Sequence, residues 1–403
     1  MNNQTAIRDR LCFLLARMLF PCVLAAARIR RLFVRDATAP GKRRILVLSD
    51  HRLGDTVHQV PLFEALRRAF PADRNHLAVV VRPSLADLVR KMPWFDEVIP
   101  DDALERHPIF WLLHGHLWRA SARRFEMVID PVRLRVVGHD WLNILWRPAR
   151  SVAYDSEISS RSFSFAGNWQ RRHGDGLWTQ LIPTKREMGI EQDFQRFVDA
   201  ASGPGTTVDI SHCWTVPVSP EIAQPSIADV ILSPGSNAVC RRWPIESFQE
   251  LVSQLLESHP SLRFSVVGGA SEVSLGNMLT DCFPDHVDNL CGKTSILELA
   301  ALLAPGDGRR LIVSNDTGTA HLASVQGTRT IVIFGGGEFG AFFPAPHRQN
   351  VRTVFRNKDC FGCGWRCPYA DLDRSVAPCV KDVTVNDVVE AVTSSLHDFH
   401  PLL

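Results

Sequence analysis

Short runs of leucine and β-branched residues alternate with helical patterns along most of this sequence, in two series separated by prolines. The first opens at Arg43-Arg-Ile-Leu-Val-Leu-Ser49, ends in a loop bearing Gly54, and continues into apolar residues at helical spacing, Phe63, Leu66 and Phe70. The same grammar predicts a strand at 77–81, a helix around 85–91, a strand at 97–99 and a buried strand at 125–130. The second series predicts strands at 229–233, 263–268, 310–314 and 330–334, with helices over 248–258 and near 295–303. Strands that alternate with helices of this length pair in parallel, with helices on both faces of the sheet. The fold class is therefore α/β, two Rossmann-like doubly wound domains facing a cleft, with ligands expected beyond the carboxyl ends of the strands. A chain of 403 residues also exceeds the size at which one core keeps growing. Residues 1–40 read as an N-terminal amphipathic helix, 41–220 as the first domain and 221–403 as the second, with the linker near Pro217, Pro220 and Pro225.

Charge gives no general argument for a nucleic-acid partner, and none is expected, since 45 basic residues are nearly matched by 43 acidic ones. The cysteines fall into a scattered set (Cys12, Cys22, Cys213, Cys240, Cys282, Cys291) and a crowded one (Cys360, Cys363, Cys367, Cys379). The scattered set reads as reduced core thiols in a reducing compartment. Near the start, an apolar run is broken by Arg17 and falls short of the ~20 residues a spanning helix needs. On a helix, Arg10, Arg17, Arg28, Arg31 and Arg35 share a face opposite Leu14, Phe20 and Ala25, the pattern of a helix lying on a membrane surface. A helix packed on its own protein and a leader ending at Ala25-Ala-Ala27 are the other readings.

Four segments carry chemistry. In Ser49-Asp-His-Arg-Leu-Gly-Asp-Thr-Val-His58, Asp55 opens the first helix. It reads either as an N-cap aspartate or as a carboxylate facing the cleft that takes a proton from an attacking hydroxyl. In Ser233-Pro-Gly-Ser-Asn-Ala-Val-Cys-Arg-Arg-Trp-Pro244, a tight turn with exposed amides, Ser236, Asn237, Arg241 and Arg242 suits a pyrophosphate; an exposed basic loop is the alternative. In Asn315-Asp-Thr-Gly-Thr-Ala-His-Leu322, the amides at Thr317 and Gly318 begin a helix that would meet phosphate oxygens. Asp316 and His321 read there either as ligands or as an N-cap and a core histidine. The run Gly335-Gly-Gly-Glu-Phe-Gly340 has dinucleotide-fingerprint spacing, but Ala-Phe-Phe-Pro follows where a helix must open, so no nicotinamide or flavin site is expected. Finally, Cys360, Cys363, Cys367 and Cys379 form a C-x2-C-x3-C-x11-C finger suited to one tetrahedral iron or zinc. Four sulfur ligands leave no open position, which implies a structural role; disulfides or unbound thiols are the alternatives.

Together, Leu53-Gly-Asp-Thr-Val-His58 with Pro61, Ser233-Pro-Gly-Ser with Arg241-Arg-Trp-Pro244, and Asn315-Asp-Thr-Gly-Thr-Ala-His-Leu322 resemble glycosyltransferase family 9, the ADP-heptose heptosyltransferases of bacterial lipopolysaccharide assembly. The resemblance covers roughly residues 43–392 and implies a GT-B fold, an ADP-heptose donor held by the second domain, and inversion without a catalytic metal. It implies Asp55 as general base, with Arg241 acting where the family usually has a lysine. Ser236, Asn237, Arg242, Asp316, Thr317, Gly318 and His321 would line the donor. A glycolipid acceptor at the cytoplasmic face of the inner membrane is the expected partner. The basic and aromatic segment from Arg161 to Arg186 is a candidate acceptor flap or a solvated loop. The cysteine finger is similar to that of autotransporter heptosyltransferases. Those enzymes carry an extra β-rich domain where this chain has an arginine-faced helix, so a protein acceptor and a ring assembly are not carried over. The rival readings are a protein O-heptosyltransferase, a catalytically silent nucleotide-sugar binding protein, and a two-domain nucleotide-sugar epimerase.

Overall fold

The computed structural model describes residues 41–49, 52–101, 123–132, 137–155, 173–183, 190–217, 229–305, 310–340, 342–371 and 375–397, with scattered positions between 14 and 29. The chain divides into two compact units, one of Met1–His51 with Pro61–Asp209 and one of Arg52–Val60 with Ile210–Leu403.

In the first unit, β1 (Arg43–Ser49) leads to β2 (Asn75–Val81), β3 (Glu97–Pro100), β4 (Met127–Asp130), β5 (Arg150–Tyr154) and β6 (Gln180–Ile182). After β1 the chain forms α1 (Leu53–His58), which belongs to the second unit, then α2 (Val60–Ala69). Next come α3 (Ala86–Arg90), α4 (Val137–Trp146) and α5 (Ile190–Ser202). The six strands lie in the order β3-β2-β1-β4-β5-β6, every pair parallel. Ile45, Leu46, Val47 and Leu48 are wholly buried, as expected of a strand covered on both faces. Trp141, Leu145 and Trp146 of α4 pack against Leu46, Leu48, Ala78 and Val80.

The second unit repeats the plan with β7 (Val230–Ser233), β8 (Phe264–Val266), β9 (Val287–Asn289), β10 (Leu311–Asn315), β11 (Arg329–Ile333) and β12 (Val351–Val354). Its helices are α6 (Ile245–Ser258), α7 (Val273–Cys282), α8 (Ile296–Leu302), α9 (Gly318–Gln326), α10 (Pro378–Lys381) and α11 (Val385–His397). The order β12-β11-β10-β7-β8-β9 reproduces the arrangement of the first sheet, again all parallel. Each sheet thus has a topological switch point, between β1 and β4 and between β7 and β10, where the loops leave in opposite directions and open a crevice. The expected doubly wound α/β architecture is what forms.

Local chemistry sets the element ends. Ser295 and Glu298 close a reciprocal capping box at the start of α8, and Gly327 at φ 85° ends α9 in the left-handed region. The expected boundary at residue 220 differs from the division at Asp209, for a visible reason. The Trp214 amide donates to the Val325 carbonyl and the Val216 amide to the Gln326 side chain, so residues 214–216 are already fastened to α9. Pro220 and Pro225 lie outside the described residues, as does most of the 161–186 segment, including Arg161, Trp169, Arg171, Arg172, Lys185 and Arg186.

The described positions between 14 and 29 are helical, and Phe20 stacks on Trp141 at 4.5 Å, while Met18 and Ile29 are exposed. The arginine stripe itself lies outside the described residues. Among the described residues no helix is long and apolar enough to cross a membrane. The scattered cysteines are less uniformly core residues than expected. Cys240 and Cys291 are buried, whereas Cys22, Cys213 and Cys282 are exposed. Burial, with the Glu272 charge second, pushes the Cys291 thiol up to about 11.

Asn315, at the end of β10, joins the two loops of the second switch point. Its Oδ1 accepts the Trp243 amide at 3.0 Å and its Nδ2 donates to the Pro234 carbonyl at 2.7 Å. Asn315→Ala would leave both groups unpaired in a dry interior, and is expected to destabilise the protein by on the order of 2–4 kcal/mol, measured by chemical denaturation.

Candidate functional site

The segments singled out in the sequence converge within the second unit, around the ends of β7 and β10 and the first turns of α1 and α9. Their approach depends on two missing side chains. A Cβ on Gly54 would lie 2.6 Å from His321 Cδ2, and a Cβ on Gly318 would lie 2.9 Å from Leu53 Cβ. The two helix starts therefore meet at a separation that only glycine allows.

That approach brings His58 Nε2 to 2.6 Å from His321 Nδ1. His321 Nε2 in turn lies 3.2 Å from Asp316 Oδ1, and Asp316 Oδ2 lies 3.5 Å from the Arg241 guanidinium. Phe342 stacks on His58 at 4.4 Å and Phe343 on His321 at 4.7 Å, nearly parallel. The aromatic walls account for the electrostatics. Burial is the largest effect on His58 and, helped by the charges of His321, Arg348 and His347, holds it well below the usual histidine range. Burial also pushes the Asp316 carboxyl up, but the His321 hydrogen bond and the charges of His321 and Arg241 outweigh it, leaving it below the usual range. One ring nitrogen donates and the other accepts across the His58–His321 contact, while on the far side of the ring the His321 Nε2–H donates to the Asp316 carboxylate.

Asp55 is the third residue of α1 and half-buried; the N-cap is Arg52, so the capping role is corrected. Among the described residues nothing pairs with its carboxylate. Asp316 is likewise not the cap of α9, which is Thr317; its carboxylate turns to His321 and Arg241 instead. His321 is a buried, satisfied histidine and part of the cluster at once. Thr317 and Gly318 stand at the start of α9 as expected. Ser236 is buried and its hydroxyl accepts the Ala238 amide at 3.4 Å, while Asn237 is exposed. Arg242 turns to the Ser236 carbonyl at 2.8 Å, bracing the loop, so Arg241 is the arginine directed to Asp316.

Two residues escape sequence reasoning. His58 stands inside a quoted motif, yet its partner lies 263 positions away. Glu272 occupies the space that side chains at Gly235 and Gly268 would fill, and accepts the Gly269 amide at 2.7 Å. It sets a carboxylate beside the Ser233-Pro-Gly turn.

Cys360, Cys363, Cys367 and Cys379 border one cavity, floored by Gly336 and Gly337 and flanked by Trp365. Burial pushes the Cys379 thiol up, the Gly336 amide offsets part of that, and the nearby Cys360 and Cys363 add to it. Among the described residues no three potential ligands are already drawn into a metal-holding arrangement. The glycine run 335–340 opens no helix, only the single turn Gly336–Glu338.

Residues 183–364 match the family model described as glycosyltransferase family 9 (heptosyltransferase). A lipooligosaccharide heptosyltransferase 2 of Campylobacter jejuni is 29% identical over 174 residues, 42% of this chain and 51% of that protein. The chain spans about half the length of the first relatives it matches. Among solved structures, the E. coli ADP-heptose LPS heptosyltransferase II superposes with a TM-score of 0.63 at 17% identity, over 88% of this chain and 99% of that one. The iron-containing dodecameric glycosyltransferase TibC of enterotoxigenic E. coli gives 0.52 at 13% identity, over 91% and 82%.

A neutral buried His58 has a consequence for stability. Below its ordinary pKa of about 6.5 the unfolded chain takes up a proton that the folded chain refuses, so stability rises with pH through that window and is complete above it. The melting temperature is expected to fall as pH drops below about 6.5, and His58→Gln should flatten that dependence between about pH 5 and 6.5. These likenesses of structure show the fold, and that fold is GT-B.

Proposed function

We propose that this chain is an inverting glycosyltransferase that moves heptose from ADP-heptose to a hydroxyl of a lipopolysaccharide-type glycolipid. The observation that carries the reading is the gathering, at the β7/β10 switch point, of Arg241, Asp316 and the start of α9, with α1 and its Asp55 held against α9 by Gly54 and Gly318. The family match over 183–364 supports it. Asp55 removes the proton of the acceptor hydroxyl, which attacks the anomeric carbon as the C–O bond to the diphosphate breaks on the opposite face. The negative charge that develops on the leaving ADP meets the Arg241 guanidinium, the Ser236 hydroxyl and the amides at Thr317 and Gly318. Asp316 keeps Arg241 aimed, and Asp316 stays ionised because His321 donates to it. Glu272, beside the turn, suits the hydroxyls of a ribose. Asn237 and Arg242 shape the donor loop from outside. No catalytic metal takes part.

The Asp55 carboxylate, with no partner among the described residues, favours an enzyme over a silent binder. Asp55→Ala is expected to lower acceptor-dependent ADP release from ADP-heptose by about 100-fold or more, while calorimetry finds ADP binding little changed. Equal turnover by the variant would remove Asp55 as the base.

The four cysteines fit a structural iron or zinc by the chemistry of their donors. All are sulfur, they share one cavity, and the raised Cys379 thiol is one a metal would hold deprotonated. The sulfurs would have to draw inward to bind it. Elemental analysis is expected to find about one such metal per chain, with chelation lowering the melting temperature; metal-free protein of unchanged stability would refute the assignment.

A further inference from the structure

Arg241 is lightly held for a residue assigned to a diphosphate. Its side chain is 32% exposed, its ion pair with Asp316 is long at 3.5 Å, and its buried Nε has no hydrogen-bond partner among the described residues. Besides Asp316, the guanidinium is held by the ring of Trp365, over which it lies at 4.7 Å.

Trp365 belongs to the cysteine-bearing loop, between Cys363 and Cys367, and its placement is heavily determined. Its backbone has φ 58°, a conformation that a bulky side chain keeps only where its surroundings enforce it. Gly362 and Gly364 donate their amides to the Gly336 and Gly337 carbonyls at 2.7 and 2.8 Å, fixing the loop on the glycine run. The indole rests on that run: a Cβ on Gly337 would come within 2.3 Å of its ring carbons. The same segment grips the backbone beside Arg241, because the Ala377 amide donates to the Cys240 carbonyl at 3.0 Å. A guanidinium held over the face of an indole by its cationic centre leaves N–H groups available to bind phosphate oxygens.

We propose that Trp365 is a positioning residue for the donor: its ring fixes the Arg241 guanidinium in the pose that meets the diphosphate, so the cysteine-bearing loop sets donor affinity through Arg241. This rests on the reading of Arg241 as the diphosphate contact given above.

Calorimetric titration of the full-length protein with ADP and with AMP tests both levels. Wild type is expected to prefer ADP. Trp365→Leu, which keeps apolar bulk without the π face, should weaken ADP by about tenfold, with AMP changed less than about twofold. Trp365→Phe should stay within about threefold of wild type. In an Arg241→Ala background, Trp365→Leu should have no further effect on ADP. An unchanged ADP-to-AMP preference in Trp365→Leu, alongside its loss in Arg241→Ala, overturns the positioning role and leaves the donor reading standing. An equal loss of ADP and AMP, or a loss that persists in the Arg241→Ala background, overturns it as well. A wild type with no preference for ADP, or an Arg241→Ala that keeps it, overturns the diphosphate reading and this inference together.

Discussion

Two glycines meeting across the first turns of α1 and α9 are the constraint on which the site depends. With a side chain at Gly54 the His321 ring would have to leave its place, and that ring cannot yield cheaply. It is stacked on Phe343, within 2.6 Å of His58 and bonded to Asp316. The consequence is a continuous line of contacts, His58 to His321 to Asp316 to Arg241 to Trp365, in which each member orients the next. Phenylalanines on one side remove water, and a dry environment strengthens the surviving polar contacts while penalising any left unmade. The line therefore holds two opposite electrostatic states a few ångströms apart. His58 is neutral because burial, reinforced by the neighbouring charges of His321, Arg348 and His347, disfavours its protonated form; Asp316 is ionised because His321 and Arg241 offset its burial.

The chain reaches this arrangement by lending a segment of its first series to its second unit. Arg52–Val60 directly follows β1, yet its compact partners are those of the second sheet. Asp55 and the loops after β7 and β10 consequently belong to one unit. For a displacement in which one group must deprotonate while another receives charge, fixed relative placement within a single body is worth more than the properties of either group alone.

The central strands were legible in the sequence because strands covered on both faces are continuous apolar runs, as in Ile45 to Leu48 and Leu311 to Val313. The short edge strands were not. Val287-Asp-Asn289 and Gln180-Leu-Ile182 are three residues each and half polar, too brief for any period to register. α7 was also missed, since its Gly276 lies where Asn289 packs and reads in sequence as a breaker. In the site, the convergence of Arg241, Asp316, Thr317, Gly318 and His321 was foreseeable from strand-loop-helix grammar. The direction in which each carboxylate points was not: Asp316 and Thr317 are neighbours, and only three dimensions decide which one caps the helix. His58 and Glu272 were illegible for a related reason, because their meaning lies in partners remote along the chain or in space vacated by glycines.

Those vacated spaces explain why a glycine run of dinucleotide-fingerprint spacing occurs here without a dinucleotide. The fingerprint uses glycine so that phosphate can approach backbone. At 335–337 the space is filled from within the protein, by the rings of Phe361 and Trp365. Near Gly235 and Gly268 it is filled by the Glu272 carboxylate, and at Gly54 by the His321 imidazole. At Gly54 and Gly337 the absent Cβ admits a side chain from a distant stretch that borders a group assigned to the donor, His321 beside Asp316 and Trp365 beside Arg241. Spacing alone therefore reports that something approaches the backbone closely. Whether it is a ligand or the protein's own residue depends on whether a helix opens at that point to present free amides, and at Gly335 none does.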